Sequence, residues 1–358
     1  MHNAPKGAGL NEARGRPPLP FCLIKPTKIN LSLFGRSLFP PAKDTRKRHC
    51  HEGIICTVCL HNACARTVLL GLPSISVEAR FGSPNKRGVS EKVFKFRIEA
   101  PAIAKHAHAG QFLMVRANET GERVPFTLAG WNGDEGWVEF IFMVIGKTTE
   151  MLSTYEAGES LRDVVGPLGV PTEMAEGHCA VIGGGVGLAI AFPVAKHLVE
   201  TGHEVHAIMG ARTKDLLLME DQFRELLDED HIHITTDDGS YGEQGVVTAP
   251  LERLLQDKAV SQVFCVGPVP MMKFSTLTAQ KYDTPITASL NPIMVDGTGM
   301  CGCCRVEVGG VTKFACVDGP DFDATLVDWD DLRARQAAYR SEEGESLKAY
   351  EEKSCACH

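Results

Sequence analysis

The feature that most constrains the fold is an alternation of apolar strands and helices between residues 177 and 285. It begins with CAVIGGGVGLAIAFPVAKHLVETG, a pattern typical of a buried strand, a glycine turn and an apolar helix. Further strands are predicted at EVHAIMGA, HIHITTDD and QVFCVG, with helices at LLLMEDQFRELLD and APLERLLQDK. This alternation predicts a doubly wound parallel sheet, so residues 177–285 are expected to form an α/β nucleotide-binding domain.

The glycine turn after the first of these strands is a candidate nucleotide site. Glycines there permit a tight turn and let backbone N–H groups approach a pyrophosphate at the helix N-terminus. Gly-rich turns also arise from packing alone, but the position after the first strand of an alternating domain favours a dinucleotide. The residues expected to contact it are Gly184, Gly185 and Gly187.

The end of the second strand bears on the choice between NAD and NADP. An acidic residue that would hold a ribose is absent there, and GARTKD supplies Arg212 and Lys214 instead. These cations would favour a 2′-phosphate, so the residues alone leave both cofactors open.

The last strand of the alternating region ends in FCVGPVPMM. Ligands of open α/β sheets bind beyond the carboxyl ends of the strands. Cys265, Gly267 and Pro268 are therefore expected near the reacting end of a nicotinamide. The alternative interpretation is a buried cysteine followed by a simple turn.

Residues 86–176 carry a different pattern, with short strands at KVFKFRIEA, GQFLMVRA, VPFTLAGW and WVEFIFMVI. Polar turns such as NETGE and NGDEG separate them, which predicts a small antiparallel β-barrel. Arg123, Pro125 and Thr127 in RVPFT are expected to share one face of their strand, because side chains alternate with a period of two. A cation and a hydroxyl on one face suit a phosphorylated cofactor.

A second phosphate-binding candidate in the barrel region is VIGKTTEML, which predicts a strand, a glycine and a helix opened by two hydroxyls. Thr148 is expected to cap the helix, and the free N–H groups of its first turn would accept a phosphate. Taken singly, each of these features is also explained by ordinary capping. The residues of interest are Gly146, Thr148 and Thr149.

Four cysteines lie close together in DGTGMCGCCRVEVGGVTKFAC, residues 296–316. This count is enough for a four-ligand metal centre, yet Cys303 and Cys304 are adjacent and neighbouring side chains point in different directions. Residues 286–330 are therefore expected to form a small metal-binding domain. Iron–sulfur and zinc chemistry are both compatible with these residues alone.

The two ends of the chain are expected to lie outside the folded domains. Residues 1–85 are predicted to be a leader of uncertain order. Residues 1–50 carry ten Lys or Arg against two acidic residues, a charge of about +8. Because the whole chain has a net charge of −8, the remainder carries about −16. Cys56 and Cys59 have the spacing of a metal knuckle, with Cys50, His61 and Cys64 nearby, but a leader without a metal site is favoured. Residues 331–358 predict a charged helical tail that ends in a frayed KSCACH.

Composition excludes several classes of protein. Hydrophobic residues at 44% and charged residues at 23% are ordinary for a globular enzyme, and the net charge of −8 argues against nucleic acid as a partner. No apolar run approaches the roughly 20 residues that span a bilayer, and no secretory signal is predicted. The thirteen cysteines are thus expected to be thiols or metal ligands, and the compartment to be cytoplasmic.

Several motifs together resemble one known family. RVPFT resembles the R-x-P-x-T/S flavin motif of the ferredoxin–NADP reductase superfamily. GKTTEML, GPLG, VIGGGVGLA, TTDDGSYGEQGVVT and CVGPVPMM follow in the order of that superfamily. Within it, residues 88–350 are similar to small (alpha) subunits of NADH-dependent reduced ferredoxin:NADP oxidoreductases, also described as sulfide dehydrogenase subunits, and to electron-transfer subunits of dihydroorotate dehydrogenase.

The resemblance implies a β plus α/β architecture with an FAD-binding barrel, an NAD(P)-binding domain and a [2Fe–2S] domain. Arg123 would anchor FAD phosphates, Thr127 would hydrogen-bond near the isoalloxazine, and Gly146, Thr148 and Thr149 would bind its pyrophosphate. The nicotinamide nucleotide, NAD(H) with NADP also possible, would contact Gly184, Gly185, Gly187, Asp238, Gly239 and Ser240.

The resemblance also suggests which residues hold the cluster. The dihydroorotate relatives use C-x₄-C-x₂-C and a later cysteine, and that spacing falls on Asp296, Cys301, Cys304 and Cys316. A carboxylate thus replaces the first thiolate, and Cys303 falls between ligands. In the alternatives, Asp296 is a turn residue and Cys303 the fourth ligand, or the site binds zinc.

The family further implies a partner, a larger flavin and [4Fe–4S] subunit that couples NADH, NADPH and ferredoxin by electron bifurcation. Two other functions stay open. One is the electron-transfer subunit of dihydroorotate dehydrogenase, and the other is a non-catalytic metal-binding or scaffolding subunit.

Overall fold

The computed structural model describes residues 75–81, 93–175 and 177–355. The knuckle cysteines Cys50, Cys56, Cys59 and Cys64, with His61, lie outside these ranges, as do the last three residues. Within the described ranges, no helix has the length and apolar character needed to cross a membrane.

The first half of the described chain is an antiparallel sheet in the order β1-β2-β5-β4-β3-β6. Its strands are β1 Ile75–Phe81, β2 Val93–Glu99, β3 Phe112–Arg116, β4 Arg123–Asn132, β5 Trp137–Met143 and β6 Asp163–Leu168. Two short helices, α1 Pro101–Ala104 and α2 Lys147–Ser153, connect them.

The interior of this barrel is an aromatic cluster produced by strict alternation. Phe96 and Ile98 of β2 face it, and Phe126 of β4 stacks on Phe140 of β5 with ring centroids 4.8 Å apart. Because side chains alternate along a strand, the residues between these positions face outward. The predicted barrel is therefore confirmed by its hydrogen bonding and by its single apolar interior.

Strand β1 lies in the segment that the sequence assigns to the leader. It pairs with β2 in antiparallel register, from Ile75 opposite Ile98 to Phe81 opposite Val93. The sheet therefore starts at residue 75 and not at residue 86. The alternation in ISVEARF is short and is followed by the glycine, proline and basic residues of GSPNKRG, which hide it in the sequence.

The second half is the predicted doubly wound sheet, in the order β10-β9-β8-β7-β11-β12-β15. Its parallel strands are β7 His178–Gly184, β8 Glu204–Ala211, β9 Ile232–Thr236, β10 Glu243–Gln244, β11 Gln262–Val266 and β12 Ile286–Ser289. The helices between them are α3 Gly187–Glu200, α4 Glu220–Leu226, α5 Thr248–Gln256 and α6 Val269–Gln280. Strand order reverses between β7 and β11, which creates a switch point at their carboxyl ends.

The cysteine segment is built into this sheet. After β12 the chain forms the cysteine loop, 291–304, and then a hairpin, a short helix and an edge strand. These elements are β13 Arg305–Val308, β14 Val311–Phe314, α7 Ala315–Asp318 and β15 Asp321–Asp323. Strand β15 pairs antiparallel with β12, so the sheet continues past the expected boundary at residue 285.

The charged tail consists of α8 Trp329–Gln336 and α9 Arg340–Cys355. Helix α8 begins at Asp328, whose carboxylate accepts hydrogen bonds from the N–H groups of Asp330 and Asp331. Trp329 and Leu332 are buried in the core of the α/β half, so the first part of the tail is anchored.

Asp321 lies where three segments of the chain meet. It pairs with Ser289 across β15 and β12, and the hydroxyl of Thr172, after β6, donates to its Oδ2 atom at 2.5 Å. Although the residue is partly exposed as a whole, its Oδ1 atom is buried and has no hydrogen-bond partner. Burial raises the pKa of this carboxyl to about 6, against the opposing hydrogen bonds from Ser289 and Thr172.

We expect Asp321→Asn to change how stability depends on pH. The folded pKa lies above the unfolded value, so the stabilisation is present at low pH and is lost as pH rises through about 6. Relative to wild type, the variant should gain about 1.5 kcal/mol in free energy of unfolding between pH 5 and pH 8. Urea unfolding at both pH values measures this. Asp323→Asn, an exposed position on the same strand, is the control, and equal gains in both variants would contradict the assignment.

Candidate functional site

The glycine turn lies at the carboxyl end of β7, at the switch point. Gly185 has φ +56°, and a Cβ atom there would meet nothing within 4 Å, so its backbone faces open space. A Cβ atom at Gly187 would lie 2.5 Å from the carbonyl oxygen of Val266. One glycine therefore leaves room for a ligand, and the other lets α3 pack closely on β11.

The loop after β9 forms a wall beside the glycine turn. The Asp238 carboxylate accepts from the Ser240 N–H at 2.9 Å, and the Ser240 hydroxyl accepts from the Lys214 N–H at 2.8 Å. Hydrogen bonds from the hydroxyl and the N–H of Ser240 lower the pKa of Asp238. The Lys214 ammonium lies 4.3 Å above the ring of Tyr241, so the loops after β8 and β9 are joined at the nucleotide edge.

The three residues predicted at the end of β11 divide into two groups. A Cβ atom at Gly267 would lie 3.3 Å from the Cα atom of Gly184, and Pro268 precedes α6, so both border the glycine turn. Cys265 is fully buried between Ile182 and Ala288 in the sheet, and burial raises its thiol pKa. The side chain of Cys265 therefore belongs to the core, and its expected place near the nicotinamide stays a prediction.

Three residues of the RVPFT segment lie on the outer face of β4. Phe126 and Leu128 point into the barrel core, so Arg123, Pro125 and Thr127 lie on the opposite face with partial or full exposure. Their predicted alignment follows from the same alternation.

Hydroxyls at the start of α2 are arranged differently from the prediction. Gly146, with an extended backbone, precedes the helix, and Thr149 Oγ1 accepts from the N–H groups of Ile145 and Gly146, each at 3.0 Å. The predicted cap, Thr148, is buried and donates to Glu122 Oε2 at 3.1 Å. Thr149, one residue later, is therefore the hydroxyl that orders the turn.

Glu122 is a site residue that the sequence analysis missed. Its carboxylate accepts from Lys147 at 2.9 Å as well as from Thr148, and the Lys147 bond is the main reason that its pKa is lowered. The ion pair fastens the start of α2 beside the start of β4. Nothing in the sequence signals it, because the partners are 25 positions apart.

Two of the predicted cluster ligands are already together. The sulfur atoms of Cys304, before β13, and Cys316, in α7, are 3.2 Å apart and buried. Hydrogen bonding within this sulfur pair, together with nearby backbone N–H groups, lowers the pKa of Cys304. This pocket therefore favours a thiolate, the form that binds iron or zinc.

The other cysteines occupy the turn before β13. The exposed Cys301 has its sulfur 3.5 Å from the N–H of Cys303, and the carbonyl of Cys303 accepts from Arg335 at 3.3 Å. Gly302, between them, has φ +67°, a conformation that a side chain disfavours. The turn thus carries Cys301 on its exposed side, and α8 fixes the backbone of Cys303.

Asp296 lies within the cysteine loop, before its cysteines. Its Oδ2 atom accepts from the Thr298 N–H at 3.0 Å and from the Thr298 hydroxyl, and these bonds lower its pKa. The positive charge of Arg123 lowers it further. An ionised carboxylate suits a metal ligand, and the same hydrogen bonds also suit the alternative of a turn residue.

The cysteine loop packs directly on the barrel. A Cβ atom at Gly297 would lie 2.5 Å from Met114 Cγ and 3.0 Å from Leu168 Cδ1. Met114 is the register partner of Pro125, in the middle of RVPFT. The loop therefore lies against the strand next to the predicted flavin strand.

Comparisons with known proteins match this arrangement. Residues 291–328 match the family model "Iron-sulfur cluster binding domain of dihydroorotate dehydrogenase B", and residues 181–276 match "Oxidoreductase NAD-binding domain". A Thermotoga maritima protein named as a homolog of the electron-transfer subunit of dihydroorotate dehydrogenase B (NAD(+)) is 48% identical over 263 residues, 73% of this chain and 92% of its own length.

The chain belongs to this family of electron-transfer subunits. The Desulforamulus reducens electron-transfer subunit is 32% identical over 252 residues, 68% of this chain and 95% of its own length. A solved structure described as an NADH-dependent reduced ferredoxin-NADP oxidoreductase, studied for flavin-based electron bifurcation, is 44% identical with a TM-score of 0.71. It covers 78% of this chain and 98% of its own.

These similarities confirm the predicted class of protein, an oxidoreductase electron-transfer subunit, and its expected FAD, NAD(H) and iron–sulfur cofactors. The paired thiols of Cys304 and Cys316 fit a cluster, and the open turn at Gly185 fits a nucleotide.

We expect Cys303→Ala to keep the cluster and Cys304→Ala to lose it. The Cys304 sulfur lies 3.2 Å from that of Cys316, whereas Cys303 falls between the predicted ligands. Iron per chain and visible absorption of the anaerobically purified protein measure both outcomes. Loss of iron in Cys303→Ala, with iron retained in Asp296→Ala, would show that Cys303 is the fourth ligand.

Proposed function

We propose that this chain is the small subunit of an electron-bifurcating, NADH-dependent ferredoxin:NADP oxidoreductase. The observation that carries the proposal is the 44% identity, over 98% of its length, to a chain from the structure described in those terms. FAD, when bound, exchanges two electrons with a nicotinamide as hydride and single electrons with an iron–sulfur cluster.

The FAD site is proposed on the outer face of β4 and at the start of α2. Arg123 would bind phosphate, Pro125 would shape the surface between, and Thr127 would donate a hydrogen bond near the isoalloxazine. Thr148 and Thr149 would offer backbone N–H groups to the pyrophosphate, since both hydroxyls are already engaged by protein groups. Gly146, whose N–H donates to Thr149, would let the pyrophosphate approach the turn closely. Lys147 keeps the carboxylate of Glu122 paired beside them.

The nicotinamide nucleotide is proposed to bind at the switch point, along the carboxyl ends of β7, β9 and β11. Its contacts would be Gly184, Gly185, Gly187, Asp238, Gly239, Ser240, Gly267 and Pro268. We favour NAD(H). The ammonium of Lys214 lies over the ring of Tyr241, and this contact holds the ammonium away from the position that a 2′-phosphate would take.

A [2Fe–2S] cluster is proposed on Asp296, Cys301, Cys304 and Cys316. The short C-x₂-C turn lets two thiolates reach one iron, and the buried Cys304 and Cys316 exclude water from one side of the cluster. A carboxylate is a harder ligand than a thiolate, so Asp296 would tune the reduction potential.

Proximity of the flavin and cluster sites supports electron transfer between them. Gly297, next to Asp296, packs on Met114, which pairs with Pro125 of the flavin strand. The proposed ligand Asp296 also senses the charge of Arg123. The chain itself therefore builds a short path from one cofactor site to the other.

The proposed partner is a larger flavin and [4Fe–4S] subunit, through which ferredoxin would exchange electrons. Apolar side chains around the cysteine loop support a protein partner: Val295 is 52% exposed, Met300 84% and Val317 44%. A cytoplasmic location is proposed with it.

A second candidate is the electron-transfer subunit of a dihydroorotate dehydrogenase, favoured by the matched iron–sulfur domain model. Asp296 disfavours it, since the relatives that define that site use a cysteine there. A non-catalytic scaffold is disfavoured by the intact RVPFT and GKTT segments. Purification of the chain with its native partner, followed by identification of that partner, separates these functions: a dihydroorotate-oxidising partner would replace our proposal.

We expect NADH to reduce the purified flavoprotein at least about tenfold faster than NADPH, because the 2′-phosphate of NADPH would lie beside a cation already held by Tyr241. A tenfold difference corresponds to about 1.4 kcal/mol. Anaerobic stopped-flow absorption, with each nucleotide at the same concentration, measures both rates. A faster reaction with NADPH would overturn the choice of NAD(H) and would assign Arg212 and Lys214 to the 2′-phosphate.

Gly185→Ala is expected to raise the KM for NADH about tenfold with kcat nearly unchanged. A methyl group there projects into the open space in which the pyrophosphate is proposed to lie. Gly202→Ala is the matched control: Gly202 also has positive φ, +90°, and open space around it, but it follows α3 at the far end. Steady-state NADH:dye kinetics measures both. Equal KM values for the two variants would place the nucleotide elsewhere.

A further inference from the structure

The edge of the α/β sheet opposite the nucleotide carries a group of histidines, which we call the amino-edge cluster. It consists of His178, Glu204, His206, His231 and His233, at the first residues of β7 and β8 and around the start of β9. These strands are parallel neighbours, so their amino ends meet on one edge. At about 3.3 Å per residue, the strands separate this edge from the glycine turn by about 20 Å.

Three members of the cluster converge closely enough to bind one ion. One ligand atom from each of Glu204, His206 and His231 lies within 4.8 Å of the other two. A zinc ion with bonds of about 2.0–2.1 Å sets its tetrahedral ligands about 3.3 Å apart, so small side-chain rotations complete the site.

His178 and His233 lie beside this triad, and members of the triad also contact one another. His178 Nδ1 lies 3.4 Å from one carboxylate oxygen of Glu204, and His231 Nε2 lies 3.7 Å from the other. His233 Nε2 lies 3.4 Å from His206 Nδ1. Such an outer contact fixes the tautomer of a metal-binding imidazole and leaves its other nitrogen for the ion.

The triad lies partly inside the sheet. His206 is buried, with 7% of its surface exposed, whereas His231 is partly exposed and Glu204 is exposed. One ligand is therefore anchored in the fold, and the other two reach the surface.

The cluster is also open to solvent on one side. A surface cavity of about 340 Å³ is lined by Glu204 and His231 among others, and the side chain of Glu204 is 46% exposed. An ion can therefore enter without opening the sheet. Three protein ligands leave a fourth position for water or for His178.

We propose that Glu204, His206 and His231 form a binding site for a divalent transition-metal ion of the zinc type, separate from the cysteine loop. Two nitrogens and one carboxylate oxygen suit Zn²⁺ and disfavour Mg²⁺, which prefers oxygen ligands in an octahedron. The bound ion would join the amino ends of β8 and β9.

Equilibrium dialysis of the cofactor-loaded, full-length protein against Zn²⁺, followed by metal analysis, tests the site. Because cysteines elsewhere also bind zinc, the result is a difference between variants. Glu204→Gln and His231→Gln should each bind one equivalent less per chain than wild type. His108→Gln, an exposed histidine in the barrel half, is the matched control and should bind as wild type does. Equal zinc content in all four proteins would overturn the site.

Two further measurements guard against misfolded variants. His233→Asn, which touches only the outer contact, should weaken zinc binding about tenfold without removing it. Zinc-edge X-ray absorption of zinc-loaded wild type should show nitrogen neighbours at about 2.0–2.1 Å, and this contribution should disappear in His231→Gln because the ion is lost. A zinc shell of sulfur alone in wild type, or unchanged spectra in the variant, would mean that the histidines only pack against one another, as His206 and His231 do with ring centroids 4.3 Å apart.

Discussion

The arrangement of the proposed flavin and cluster sites depends on one close approach, that of Gly297 to the barrel. With φ +84° and with Met114 and Leu168 directly below it, this position has no room for a side chain. A Cβ atom there would lift the cysteine loop from β3 and would separate the cluster site from Arg123 and Pro125 on the neighbouring strand. Overpacking of this kind costs about 1–3 kcal/mol even where the chain adapts. Electron transfer is steeply sensitive to such separation, so this contact carries both stability and function.

Much of the architecture follows from periodicity. The outward face shared by Arg123, Pro125 and Thr127 was predictable because β4 has one buried face and therefore alternates. The orientation of the Cys265 side chain could not be predicted in this way. Strand β11 is buried on both faces, and a continuous apolar run gives no sign of which way each side chain points. The prediction that Thr148 caps α2 failed for a different reason: the helix starts two residues earlier, after Gly146, so that Thr149 is the third helical residue and its hydroxyl orders the turn. The paired strand at Ile75–Phe81 needed its partner β2 to become visible.

The sites differ in what the sequence could reveal. The spacing of the cysteines and the order of the flavin and nucleotide motifs are local, so resemblance finds them. The Glu122–Lys147 pair and the contact between Thr172 and Asp321 join distant positions and depend on tertiary packing. The amino-edge cluster lies between these cases. Histidines at the starts of three predicted parallel strands, in HCAVI, EVHAI and HIHIT, would have indicated a shared edge, because parallel neighbours align their amino ends.

The strand pairing of β15 with β12 has a mechanical meaning. Between these two strands the chain leaves the α/β sheet, lays the cysteine loop on the barrel, and then returns as an edge strand hydrogen-bonded along three residue pairs. This excursion links the two halves of the described chain, and the hydrogen bond from Thr172 to Asp321 fixes the point at which it returns. A hinge motion that separated the two halves would have to break the hydrogen bonds between β15 and β12 and the contact between Thr172 and Asp321. The pairing of β15 with β12 therefore holds the cysteine loop against the barrel, and with it the spacing between the proposed flavin and cluster sites.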